Sequence, residues 1–273
     1  MSNFLEILNP VAKWLHIIAG VMWIGLLYFF NFINGHVAAT LDADTKKKVV
    51  PELMPRTLYW FRWGAAWTWF TGVVLMVLIF WVGMGDSMFA TDPNHEVSTW
   101  IGNENSKLRH LSYIIPFLMV FIYDFLYLSP IGKNTRVATI ISFLGTAGIL
   151  CLLTCVFGMI EYRAYNIHIG AMFGSMMAFN VWFRIWPAQQ RIISAIRDGE
   201  TPDGADVALA GLRSKHNTYM SVPLIWTMIN EHTAVVNKGF LLNCDGLLLL
   251  IFIAIGWHLV FQLYKKSGKI KGF

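Results

Sequence analysis

The chain has 273 residues, 56% of them hydrophobic and only 14% charged, with a formal net charge of +5 and a mean hydropathy of +0.53. Soluble domains carry roughly a quarter of their residues as charges, so a soluble globular fold is excluded. The positive excess is read as membrane topology and contact with anionic lipid, which excludes nucleic acid as a partner.

Crossing the hydrocarbon takes about 20 apolar residues per helix. Seven windows have that character: 11–34, 60–83, 109–129, 135–158, 163–186, 217–233 and 240–264. The expected fold is an all-α integral membrane protein, one transmembrane domain over 1–273 built as a bundle of about seven helices. The first window has no basic segment before it and no small-residue cleavage site after it, so it reads as a retained helix. It carries His16 and Gly20 on one face, at i and i+4, with Gly25 keeping the helix slim further down. The second holds Trp60, Trp63 and Trp67, which suit an interfacial aromatic belt. Polar residues 84–108 form the first long loop, with Asp86, Asp92, Glu96 and Glu104 on it. The third window opens at Arg109 and His110 and contains Asp124. The fourth has Cys151 and Cys155 one turn apart, a packing pattern, and no C-x-x-C occurs anywhere. The fifth runs from Arg163 through His168 and Ala171 to Asn180 and Arg184. Residues 187–216 read as the second long loop. The run His216-Asn217-Thr218-Tyr219 then leads into the sixth window, where Ser221 and Pro223 follow. Proline frees the carbonyl four residues back, and unsatisfied backbone at membrane depth is tolerated only against protein or a wet cavity. A kinked, packed helix satisfies that condition. So does a substrate or proton-access pocket built on His216, Asn217 and Thr218. The seventh window contains His258.

Lys and Arg set orientation. Lys46, Lys47, Lys48, Arg56, Arg62, Lys133, Arg136, Arg184, Arg191, Arg197, Arg213, Lys215, Lys265, Lys266, Lys269 and Lys271 fall on one side, against Lys13, Lys107, Arg109, Arg163 and Lys238 on the other. The richer side is expected to be cytoplasmic, with the N-terminus outside and the C-terminus inside a bacterial cytoplasmic membrane.

Eight histidines in such a chain need explaining, because an imidazole in hydrocarbon must be hydrogen-bonded, ligated or facing water. Converting position to depth at 1.5 Å per residue gives two layers. His16, His110, His168 and His232 lie toward the outside, and His36, His216 and His258 toward the cytoplasm. His95 sits in the outer loop. Two histidines at one height can supply both axial ligands of a b-type haem. His16 and His168 are the expected haem-iron pair, with Gly20 making room, Arg109 and Arg163 near the propionates, and His232 as a further cofactor residue. A second haem across His258 and an inner partner extends the same logic. Helix capping or hydrogen bonds to carbonyls would account for single histidines equally well.

Four stretches carry a resemblance. They are residues 14–30 (WLHIIAGVMWIGLLYFF), 51–72 (PELMPRTLYWFRWGAAWTWFTG), 168–189 (HIGAMFGSMMAFNVWFRIWPAQ) and 213–223 (RSKHNTYMSVP). Together they resemble the N-terminal membrane domain of bacterial membrane-bound urate oxidases. The resemblance implies oxidation of urate to 5-hydroxyisourate, with electrons passing to a c-type cytochrome, and it sets His16, His168, His216 and His232 at family-like positions. The family's Ser-Asn-His-Tyr-Pro-like segment is Ile229-Asn230-Glu231-His232-Thr233 here, and no C-x-x-C-H occurs. A separate c-type cytochrome is therefore the expected electron acceptor. The alternative is a non-enzymatic cytochrome b-like subunit that conducts electrons from a quinone within a larger respiratory complex.

Overall fold

The structure is a computed structural model that describes residues 2–81, 111–156, 160, 162–230 and 246–271. Among the described residues the chain is helical throughout: α1 (Ser2–Phe29), α2 (Gly35–Thr40), α3 (Ala43–Met76), α4 (Ile115–Leu128), α5 (Thr135–Cys151), α6 (Tyr162–Phe179), α7 (Trp186–Asp198), α8 (Gly204–Ile229) and α9 (Leu247–Ser267). Four stretches are long and apolar enough to cross a membrane, Ile7–Thr40, Ala43–Phe80, Thr135–Thr154 and Leu247–Ser267, and Ile115–Leu128 is a shorter apolar helix. The chain thus has the build of a membrane protein. Helices α6 and α8 fall outside that set because they carry polar side chains inward. Ala164 to Gly170 are buried at every position, which marks α6 as a core helix rather than a lipid-facing one.

Two expectations need correction. Residues 187–216 are not a loop. Pro187 opens α7, where its missing N–H costs nothing, and Gly199 closes it in the left-handed conformation at φ 79°. Asp203 Oδ1 then accepts from the Ala205 N–H at 2.9 Å, capping α8, which starts well before residue 217. The helices containing the first and second windows also begin earlier than hydropathy suggests, at Ser2 and Ala43. Apolar windows mark what hydrocarbon can hold, whereas Ala, Leu, Lys, Arg and Glu carry a helix onward into water.

Two compact units divide the long helices between them. The first comprises Met1–Val73, Met177–Val222 and Gly256–Phe273; the second comprises Val74–Met176 and Pro223–Ile255. In the first, α1 and α3 pack antiparallel along a seam of small residues. A Cβ on Gly64 would lie 3.3 Å from Trp23, and one on Gly20 would lie 3.7 Å from Thr68, so the backbones approach as closely as glycine allows. In the second, α6 and α8 meet where Asn166 Nδ2 donates to the Thr227 carbonyl at 2.8 Å.

An ion pair ties α7 to α8. Arg191 Nε donates to Asp206 Oδ2 at 2.8 Å, and its Nη2 donates to Oδ1. The hydrogen bonds from Arg191 hold the Asp206 carboxyl below the usual carboxylate range. A depressed carboxylate contributes stability above its unfolded pKa and loses it as pH falls through the folded value. Amide exchange across 199–206, corrected for intrinsic rates, should therefore be slower in wild type than in Asp206→Asn near neutral pH. The difference should vanish in acid.

Candidate functional site

Four π-helical stretches interrupt the described helices: Phe30–Asn34, Val77–Trp81, Leu152–Val156 and Asn180–Ile185. Each extra residue per turn swings the following side chains around the axis, and such insertions concentrate at functional sites. Two of them, both in the first unit, deliver an asparagine to α8.

Asn180 sits at the head of its π-turn and is fully buried, as are Asn217 and Arg213 of α8. Arg213 Nη1 donates to Asn180 Oδ1 at 3.3 Å, Asn180 Nδ2 donates to Asn217 Oδ1 at 2.8 Å, and Asn217 Nδ2 donates to the Met177 carbonyl at 3.0 Å. A guanidinium is thus held inside the fold by a relay of amides. Asn31, from the π-turn after α1, donates to the Leu27 carbonyl at 2.9 Å and to Ser214 Oγ at 2.8 Å, and it accepts from Tyr264 OH at 2.8 Å. Ser221 Oγ donates to the Thr218 carbonyl at 2.8 Å and so accepts from Tyr28 OH at 3.0 Å. Thr218 Oγ1 donates to the Ser214 carbonyl at 3.1 Å. Residues 213–221, polar by sequence, therefore form a buried, hydrogen-bonded strip facing α1, α9 and the π-turn at Asn180. His216 is half-buried in that strip.

The histidines differ in how they are held. In the second unit, His168 is fully buried. Its Nδ1–H donates to the Ala164 carbonyl at 2.7 Å, a carbonyl that can only accept, so the tautomer is fixed. The lone pair is left on Nε2, which has no partner among the described residues. The ring of Phe80, in the π-turn after α3, lies edge-on to His168 at 5.7 Å, and the Arg163 guanidinium lies 5.6 Å from the same ring. In the first unit, Thr71 Oγ1 spends its proton on the Trp67 carbonyl at 2.6 Å. It must then accept from His16 Nδ1 at 3.1 Å, so His16 also presents Nε2 as its basic nitrogen. Nδ1–H on an oxygen with Nε2 left open is the arrangement of a metal-ligating histidine.

His258 is exposed, and Gln262 Nε2 donates to its Nε2 at 3.1 Å. His36 reaches Ser267 Oγ at 3.4 Å. Among the described residues no three His, Cys, Asp or Glu side chains converge as a protein-only metal cluster would; axial haem ligation needs one histidine per position. His95, His110, His232, Arg109 and the acidic loop residues Asp86, Asp92, Glu96 and Glu104 lie outside the described residues.

The family model for the urate oxidase N-terminal domain matches residues 43–270. The chain belongs to that family. No curated protein and no solved structure matches it. Three of the four resembling stretches fall inside the matched residues, and the one carrying His16 precedes them. The urate oxidase N-terminal match thus spans His168, the π-turn at Asn180 and the polar strip 213–221. Sequence reading missed Arg213, assigned there to a cytoplasmic loop, together with Ser214, Asn31, Tyr28 and Tyr264. The signal for Arg213 was its spacing from Asn217, one turn along a single helix.

Proposed function

We propose that this urate oxidase-type domain is a seven-span, haem b-bearing redox protein of the bacterial cytoplasmic membrane. Its basic face is cytoplasmic, and it passes electrons from a small substrate, urate in the family's case, to a separate c-type cytochrome. The observation that carries the reading is the paired chemistry of His16 and His168, each with Nδ1–H committed to oxygen and Nε2 open. Both histidines fit axial ligation, and Arg163 beside Phe80 suits a propionate near His168. When bound, a haem would supply a one-electron site between substrate and acceptor.

The chain's own residues account for the rest. The strip of Arg213, Asn180, Asn217 and Thr218 offers a buried cation with amide and hydroxyl groups, a set that matches an anionic, amide-rich heterocycle such as urate. His216, inside the same strip, is the candidate for moving the substrate's proton. Packing against α1 and α9 keeps bulk water from the strip.

A reduced-minus-oxidised visible spectrum with pyridine haemochrome quantification on detergent-purified protein tests the reading, run beside His16→Ala and His168→Ala. A b-type signal is expected in wild type and loss of most of it in each variant. Wild-type protein without a Soret band overturns it.

One observation favours the second reading, a cytochrome b-like subunit of a larger complex. His258 and Gln262 are exposed near the middle of α9, within an apolar stretch fit to span a membrane. Polar pairs at that depth are normally covered by another helix. Quinol-dependent haem reduction without any urate-dependent reduction of cytochrome c decides for the subunit.

A further inference from the structure

The α1–α3 seam does more than pack two helices. Going along α1, His16 meets Gly72, Gly20 meets Thr68, and Trp23 meets Gly64; large and small residues alternate between partners in an antiparallel register. At the His16 step the fit is tightest. A Cβ on Gly72 would stand 3.0 Å from His16 Cε1 and 3.5 Å from Nδ1, so the imidazole occupies the space that any other residue's Cβ would take. The next residue back, Thr71, is closed as a donor toward the ring. Its hydroxyl proton goes to the Trp67 carbonyl at 2.6 Å, with the Thr68 carbonyl at 3.2 Å as the other choice.

We propose that Thr71 and Gly72 form a dedicated seat that makes His16 a haem ligand, which rests on the haem reading above. Thr71 is a positioning residue: it accepts Nδ1–H, fixes the tautomer with the lone pair on Nε2, and through that bond raises the basicity of Nε2. Gly72 lets the ring lie against the backbone of α3, which sets where Nε2 points. The histidines are therefore unequal ligands. His168 gives its proton to a backbone carbonyl, a stronger acceptor than the already polarised hydroxyl serving His16, so the His16 bond to iron is the weaker and more easily tuned one.

The test is haemin titration of the full-length, detergent-purified chain, with the midpoint potential and low-spin electron paramagnetic resonance signal as readouts besides turnover. Thr71→Val keeps the shape and removes the acceptor. Expected are a loss of about 10-fold or more in haemin affinity, the usual cost of deleting a partner that orients a ligating histidine, and a more positive midpoint as Nε2 donates less. Thr71→Ser should restore both, which a merely structural role for the methyl group would not predict. Gly72→Ala should convert part of the low-spin signal to high-spin by displacing the ring. Thr71→Ala serves as the second acceptor-less variant where Thr71→Val does not fold. Wild-type affinity and potential in a folded acceptor-less variant overturn the seat while leaving the haem reading intact. A wild-type chain that takes up no haemin overturns both.

Discussion

Asn217→Leu is expected to destabilise the protein by about 2–4 kcal/mol and to abolish substrate-dependent electron transfer. The side chain is fully buried and is the middle of a three-part relay. Leucine fills similar volume but strands the Asn180 amide hydrogens and the Met177 carbonyl, which it now serves at 2.8 and 3.0 Å. A buried polar group left without its partner costs about 1–3 kcal/mol, and two are left here. The damage spreads, because Asn180 Oδ1 is held toward Arg213 only while its amide group is anchored on Asn217. Once Asn180 is free to turn, a buried guanidinium loses a neutral partner where its charge is hardest to hold. Asn217→Asp separates the two effects. It keeps the acceptor for Asn180 and loses the donor to Met177, so it should retain more stability than leucine. Thermal unfolding in detergent reads the first quantity and cytochrome c reduction the second. An Asn217→Leu protein that unfolds with wild type shows that the relay is not structural.

How far such a site can be read from sequence follows from helix periodicity. His16 and Gly20 share a face as their spacing implies, since α1 is regular from Ser2 to Phe29. The polar run 213–221 was legible as a pocket candidate because no lipid-facing helix needs so many hydrogen-bonding groups. Asn31 and Asn180 were not legible as its partners. Each lies in a π-turn, and one inserted residue rotates everything after it by about 100° relative to an i, i+4 reading. Arg213 was hidden by a different assumption, that a basic residue between apolar windows lies in a loop. The window method ends a span at the first polar cluster, whereas α8 runs straight through it from Gly204. Burial of an arginine depends on what the neighbouring helices bring to it, and those neighbours are distant in sequence.

Gly170→Ala should be among the most damaging single-methyl changes in the second unit, and Thr227→Ala should reverse part of that damage. Gly170 lies on the buried face of α6, where an added Cβ would meet Thr227 Oγ1 inside contact distance, with Thr227 Cβ at 3.1 Å and Met228 Cε at 3.2 Å. Thr227 cannot simply turn away. Its hydroxyl donates to the Leu224 carbonyl at 2.7 Å, and its own carbonyl accepts from Asn166 at 2.8 Å. Alanine must therefore push α6 from α8, at about 1–3 kcal/mol for overpacking a close seam. Thr227→Ala alone forfeits one hydrogen bond, about 0.5–1.5 kcal/mol, but removes the atom nearest the new methyl. The double variant should then be more stable than the sum of the singles, beyond the additivity error of about 0.3–0.5 kcal/mol. His168 is two residues from Gly170 on the same helix, so the displacement also reaches the nitrogen proposed to bind iron. The b-type absorbance should weaken in Gly170→Ala and recover in the double variant, following stability. Recovery of stability without recovery of the spectrum would separate the packing of α6 from the placement of His168, and additive behaviour in both readouts would rule out the seam as the restraint on that helix.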